Sequence, residues 1–143
     1  MKKFKVLLLG HSNLSKKIII KTFVKHNIAF CVASKSEENK IGKAYAQFKT
    51  YEEGLKKSEA DIVYISLPNS LHYKWAKKAL NNGYHVIVDK PLCENFNKVK
   101  NLISIAKKNK RLLTEAIFFD YHAQISTALK LSGGVEKIKY INT

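Results

Sequence analysis

The sequence predicts an α/β domain organised around a doubly wound parallel sheet. Three observations carry that prediction: short runs that are apolar throughout, amphipathic stretches between them with lysines on one side, and glycine, proline or asparagine at the junctions. Runs without polar alternation suit strands buried on both faces, and the intervening helices supply right-handed crossovers. The length of 143 residues is typical of one domain, and 45% hydrophobic residues can fill a core, which excludes a disordered chain.

Val6-Leu7-Leu8-Leu9 is the first strand and stops at Gly10. Leu14, Ile18, Ile19 and Phe23 then recur at helical spacing, with Lys16, Lys17, Lys21 and Lys25 turned away. Ile28 to Ala33 is the second strand. A polar loop at Ser34-Lys35-Ser36 leads to a short helical segment through Ala44 and Phe48, then to a weak third strand near Phe48 to Tyr51 and a helix from Tyr51 to Ser58. Asp61 to Leu67 is the fourth strand, ended by Pro68, and Ser70 is placed to cap the next helix. That helix buries Leu71, Trp75, Ala79 and Leu80, exposes Lys74, Lys77 and Lys78, and stops at Asn81-Asn82-Gly83.

His85 to Val88 is the fifth strand. Beyond Pro91, a helix from Asn95 to Lys110 turns Phe96, Val99, Leu102, Ile103 and Ala106 inward, and Leu112 to Phe119 is the sixth strand. Tyr121 to Leu131 reads as one more helix, Gly133-Gly134 as a turn and Val135 to Ile141 as a strand with no partner. The expected division is residues 1–119 for the sheet domain and 120–143 for the opening of a truncated second α+β domain, in a chain that is a truncated gene product or an excised fragment.

Lys+Arg number 26 against 11 Asp+Glu, a formal net charge of +15. All the basic residues but Arg111 are Lys, which looks like a coding bias in a chain also rich in Asn and Ile. Nucleic-acid readers favour the arginine fork, and these lysines fall on helix solvent faces rather than in a stripe interleaved with exposed aromatics, so nucleic-acid binding is expected to be absent. No run approaches the ~20 apolar residues of a membrane span. The start imitates a signal peptide, but its apolar run is too short and no cleavage site follows. Cys31 and Cys93 give neither a disulfide framework nor a zinc spacing, no metal is expected, and a reducing cytoplasm fits.

The first turn, Gly10-His11-Ser12-Asn13-Leu14-Ser15, falls where a dinucleotide fold places G-x-G-x-x-G, with only the first glycine kept. Gly10 permits the tight turn, and the backbone N–H groups that follow suit a pyrophosphate. A turn that simply needed one glycine is an equal reading. Past the second strand, Ser34 and Lys35 stand where an NAD site shows an acidic residue, which favours the 2'-phosphate of NADP over NAD, unless Lys35 is one more surface lysine. Leu67-Pro68-Asn69-Ser70-Leu71-His72 and Asp89-Lys90-Pro91-Leu92 lie at the carboxyl ends of strands four and five, where open sheets bind ligands.

In this arrangement the chain resembles the Gfo/Idh/MocA family, the glucose-fructose oxidoreductase and inositol dehydrogenase type. Pro68, Asn69 and His72 match the family's Pro-Asn-x-x-His turn, and Asp89, Lys90 and Pro91 match its Glu-Lys-Pro motif with Asp for Glu. The likeness runs from Lys5 to about Thr143, and Glu115 to His122 looks like the passage into the family's second domain. The resemblance implies a Rossmann domain of an NAD(P)-dependent oxidoreductase that moves a hydride between nicotinamide and a secondary alcohol or ketone of a sugar or polyol. It gives Lys90 the catalytic role, on a partly buried ammonium beside the nicotinamide. Asp89 would hold Lys90 and the cofactor. Leu67, Pro68 and Asn69 would shape the loop along the cofactor, with His72 either a supporting cofactor contact or an ordinary helix-face histidine. His122 precedes the domain that supplies the family's histidine acid/base partner and takes no such part. The alternative is a non-catalytic Rossmann nucleotide-binding or assembly module, which could form a homodimer through the edge at Val135 to Ile141.

Overall fold

The computed structural model describes residues 4–35, 41–117 and 122–137. Strands β1 (Lys5–Leu9), β2 (Ala29–Ala33), β3 (Gln47–Phe48), β4 (Ile62–Ile65), β5 (His85–Val88) and β6 (Leu113–Glu115) form one sheet in the order β3-β2-β1-β4-β5-β6. Every pairing is parallel, with Leu7 at the centre opposite Cys31 on one side and Val63 on the other. The chain moves outward from β1 to β3, crosses back to β4 and moves outward again. Strand order therefore reverses between β1 and β4, the place where such sheets open a crevice at their carboxyl edge.

Alternation along each strand explains why the apolar runs carry no polar positions. Leu7, Leu9, Cys31, Ala33, Val63, Ile65, Val86 and Val88 enter a cluster with Leu55, Trp75, Ala79, Leu80 and Leu102. These partners come from α2 (Tyr51–Lys57), α3 (Asn69–Asn81) and α4 (Phe96–Lys108). Val6, Leu8, Phe30 and Val32 face the opposite way, onto Ile19, Ile20 and Phe23. Those three belong to a π-helical turn, Ser15–Ile19, that runs into α1, Ile20–Lys25.

Five expectations change. The N–H of Ile20 reaches the carbonyl of Ser15 across the π turn, and this widened turn rotates Ile20 into the core and leaves Ile18 52% exposed. No helix forms in the described part of the β2–β3 connection: the backbone of 44–48 instead bonds to β2, through Tyr45 N–H to Phe30 O at 2.9 Å and Val32 N–H to Ala46 O at 3.1 Å. Pro68, not Ser70, stands at the cap of α3, and Ser70 lies exposed in its first turn. Helix α4 buries only Leu102 and Ala106, because it packs along a narrow stripe against α3 and the sheet edge; Phe96 is 68% exposed and stacks under the ammonium of Lys100, 4.5 Å from its ring centre. Val135–Lys137 is a 3-10 turn after α5 (Ala123–Ser132), not the start of a strand. The rest of that expected strand, and with it the edge expected to pair into a homodimer, lies outside the described residues, as do 118–119 of the expected sixth strand and Ser36.

Arg111 shows why one arginine persists among so many lysines. Its Nε–H donates to Gly83 O at the end of α3, and Nη1 donates to Lys110 O at 3.2 Å. Two carbonyls are served from one planar fork, which an ammonium on a flexible stem cannot match. The lysines of the helices lie mostly on solvent faces, where pairs such as Lys57–Glu53 and Lys98–Glu94 are too exposed to add much stability. Among the described residues no helix is long and apolar enough to cross a membrane.

Helix α2 approaches the sheet so closely at Gly54 that a Cβ there would stand 2.6 Å from the Cβ of Ala33 and 3.3 Å from Leu7 Cδ1. Gly54→Val should therefore destabilise the fold by roughly 1–3 kcal/mol through overpacking, read as a lower urea midpoint with an unchanged slope. An unshifted midpoint would mean that α2 can lift off the sheet without cost.

Candidate functional site

Three loops meet at the carboxyl edge of the sheet, after β1, β4 and β5. The first is tied down by Gly10. Its N–H donates to Ala33 O at 2.9 Å, its φ is +100°, and a Cβ on it would meet Ser66 O at 2.2 Å. Glycine is required there twice over, by the left-handed backbone and by the approach of the β4 loop. Ser12 and Ser15 occupy the positions of the two missing glycines. The Ser12 hydroxyl accepts the Ser15 N–H at 3.1 Å and lies 3.0 Å from the Ser66 hydroxyl, while the buried Ser15 hydroxyl donates to Ser12 O at 2.8 Å. A turn clasped by hydroxyls thus replaces the open glycine turn, and one N–H of the helix start is satisfied within the chain.

Leu14, Leu67, Asn69, Asp89 and Lys90 line one cavity of about 170 Å³. Every one of these residues is singled out by the sequence, and together they bring all three loops to one place. Larger recesses, about 450 Å³ beside Phe4, Asp61, His85 and Arg111 and about 370 Å³ beside Phe23, Phe30 and Tyr45, lie at the amino ends of the strands. Volume alone would pick those; strand polarity and converging polar side chains pick the smaller one.

Asp89 is held by a partner the sequence reading missed. Tyr64 on β4 donates its hydroxyl to Asp89 Oδ1 at 2.7 Å. Burial, the hydrogen bond and the charge of Asp89 all push the Tyr64 hydroxyl above the ordinary tyrosine value. The available signal was a tyrosine in an otherwise apolar central strand, whose O–H must find an acceptor when buried. Glu115, at the end of β6, is a second missed residue: its Oε1 accepts the Leu92 N–H at 2.7 Å and anchors the far side of the Asp89–Leu92 loop.

Lys90 is exposed, not partly buried as expected, and its side chain makes no hydrogen bond or ion pair among the described residues. Desolvation of its ammonium would have to come from a ligand laid over it. His72 is wholly buried behind the cavity wall, with Nδ1 2.7 Å from Pro91 O and Nε2 2.8 Å from Leu67 O. Pro68 is exposed at the cap of α3. His11 and Asn13 lie in the first turn, the former half-buried and the latter exposed. Ser34 is held through its N–H to Phe48 O at 3.0 Å, and the exposed Lys35 follows it past the end of β2, with no partner among the described residues. His122 accepts the Gln124 N–H at 3.2 Å as the cap of α5. Among the described residues no three His, Cys, Asp or Glu side chains gather as a metal site.

This edge fits a dinucleotide in its chemistry: a helix start reached through a glycine that admits no Cβ, Ser34 and Lys35 at the end of β2 where an NAD site shows an acidic residue, and a carboxylate and a lysine, Asp89 and Lys90, adjacent on the far loop. The fit is independent of sequence comparison, which points the same way. The model of the Gfo/Idh/MocA oxidoreductases, "Oxidoreductase family, NAD-binding Rossmann fold", matches residues 4–117. A dTDP-3,4-didehydro-2,6-dideoxy-α-D-glucose 3-reductase of Streptomyces violaceoruber is 32% identical over 102 residues, 68% of this chain and 30% of that protein. The scyllo-inositol 2-dehydrogenase (NADP⁺) of Bacillus subtilis is 42% identical over 57 residues, 40% of this chain and 17% of that protein. The fold superposes on a 3-ketoreductase from Actinomadura kijaniata, solved with TDP-benzene and NADP, with a TM-score of 0.83 at 24% identity, covering 94% of this chain and 45% of that one. The matches thus span under half the length of each of these proteins.

Tyr64→Phe should cost about 1.5–3 kcal/mol at neutral pH, the worth of a hydrogen bond to a charged carboxylate. The folded chain favours the neutral hydroxyl, so this stability is complete below the ordinary tyrosine value near 10 and is lost as pH rises above it. The gap between the wild-type chain and Tyr64→Phe in urea unfolding should close above that pH; a gap constant to strongly alkaline pH would break the assignment.

Proposed function

Because the chain belongs to the Gfo/Idh/MocA family of NAD-binding oxidoreductases, we propose that residues 1–119 bind a nicotinamide dinucleotide for hydride transfer to or from a secondary alcohol or ketone of a sugar or polyol. The observation that carries the reading is the cavity where Asn69, Asp89 and Lys90 converge with the first turn. The dinucleotide's pyrophosphate belongs at the Gly10–Leu14 turn, its adenosine end beside Ser34 and Lys35, and its nicotinamide end towards Lys90. When bound, the nicotinamide supplies the hydride acceptor or donor. The chain's own part is to orient and to move a proton: Lys90 hydrogen-bonds the reacting oxygen and exchanges its proton. Asp89 lies beside Lys90 on the same loop, in an orientation fixed by Tyr64. That bond also holds in place a carboxylate one methylene shorter than the family's Glu.

Residues 120–143 are read as the opening of a second domain that supplies the substrate pocket. The activities of the relatives, a sugar-nucleotide reductase and an inositol dehydrogenase, support the sugar or polyol class. Ser34 and Lys35, standing at the end of β2 where an NAD site shows an acidic residue, support NADP over NAD. The free thiols of Cys31 and Cys93 suit a cytoplasmic setting.

Calorimetry should show saturable NADPH binding, tighter than NADH, and Lys35→Ala should reduce that preference by about tenfold, the scale of one charged contact. No heat with either nucleotide at millimolar concentration would remove the reading. In a protein that carries both domains, Lys90→Ala should slow hydride transfer by about 10²–10⁴-fold while leaving NADPH affinity nearly unchanged. Undiminished turnover would move the proton transfer to another residue.

A further inference from the structure

We propose that His72 is a positioning residue for Lys90: its buried ring ties the loop after β5 to the loop after β4 and so sets the width of the cleft between them. The consequence for cofactor binding rests on the functional reading above; the tie itself does not. Position 72 lies on the inner face of α3, whose other buried residues are Trp75, Ala76, Ala79 and Leu80. A leucine would fill that place without desolvating any polar group, whereas a buried imidazole is costly unless its nitrogens are bonded. Each nitrogen faces a carbonyl, and each contact is a hydrogen bond where that nitrogen carries hydrogen. Nδ1 lies 2.7 Å from Pro91 O and Nε2 2.8 Å from Leu67 O, so one rigid ring stands between two carbonyls on the two motif loops. Leu67 lines the cavity, and Pro91 directly follows Lys90.

The loop that carries Lys90 is pinned around it on every side. Asp89 N–H donates to Ile65 O at 3.0 Å, Asp89 Oδ1 accepts from Tyr64, and Leu92 N–H donates to Glu115 Oε1. The Pro91 carbonyl is the fourth pin, and His72 holds it. Lys90 has no side-chain tie of its own among the described residues, so its position follows from these neighbours. A carbonyl can only accept, so the bond that acts on Lys90 requires hydrogen on Nδ1 of His72. The side chains also separate the two bonds. An asparagine amide nitrogen takes the place of Nδ1 and keeps a donor for Pro91, whereas a glutamine amide nitrogen takes the place of Nε2 and keeps one only for Leu67.

The test uses the 143-residue chain with three measurements. Nitrogen-15 spectra of the wild-type His72 ring should show Nδ1 protonated; a lone pair on Nδ1 would overturn the proposal without any variant. Amide hydrogen exchange, read without nucleotide, should be about tenfold faster at Leu92 in His72→Gln than in the wild-type chain, the scale of one lost hydrogen bond. In His72→Asn it should return close to wild type, and in both variants the α3 amides of Ala79 and Leu80 should keep their protection. NADPH affinity should follow the same order. Equal behaviour of the two variants at Leu92, or faster exchange throughout α3, would mean that His72 only fills the core. A wild-type chain that bound no NADPH would sink the functional reading while leaving the exchange measurement to judge the tie.

Discussion

Parallel pairing delivers the loop after every strand to the same edge of the sheet, and everything proposed for this molecule depends on that constraint. With β1 at the centre and the order reversing between β1 and β4, the chain must part in two directions from neighbouring strands, and the loops after β1 and β4 face each other across the gap. Residues 10, 66 and 89 are far apart in sequence but adjacent in space for this reason alone. The closeness is severe: a methyl on Gly10 would collide with the Ser66 carbonyl. The rest of the edge is then a matter of how polar groups are satisfied in a crowded place.

They are satisfied by side chains more than by open backbone. Ser12 closes the first turn on itself and onto Ser66, Tyr64 takes the carboxylate of Asp89, and the His72 ring stands between the carbonyls of Leu67 and Pro91. A neutral bond of this kind contributes only about 1 kcal/mol net and the one to the Asp89 carboxylate about 1.5–3 kcal/mol, while leaving a buried member unpaired costs as much or more. The network is therefore better understood as a specification of loop geometry than as a source of stability. Stability lies in the two apolar clusters on either face of the sheet. Lys90 sits at the end of this network with no side-chain bond among the described residues.

Features carried by neighbouring residues were legible in the sequence. The uninterrupted run at Val6 to Leu9 announced a buried strand, His85 to Val88 a strand of the same bounds as β5, and the two motifs at Pro68 and Asp89 the carboxyl edge where the cavity lies. Features carried by contacts across the chain were not. Tyr64 and Asp89 are 25 residues apart, and His72 and Pro91 are 19 apart, so neither bond leaves a periodic trace. The inward turn of Ile20 depends on a π turn that no 3.6-residue pattern describes. The helical segment expected through Ala44 and Phe48 is replaced for a related reason: its apolar residues were spaced plausibly, but the backbone of 44–48 found a better partner in β2.

Arg111 sets a chemical limit on how far the composition can drift. Almost every cation in this chain is lysine, and on a solvent-facing helix the exchange of one cation for another is nearly free. At the end of α3 it is not, because Gly83 O and Lys110 O are both served by one guanidinium. A lysine written for arginine at this one position would strip the fork from that loop and leave one of the two carbonyls without its donor.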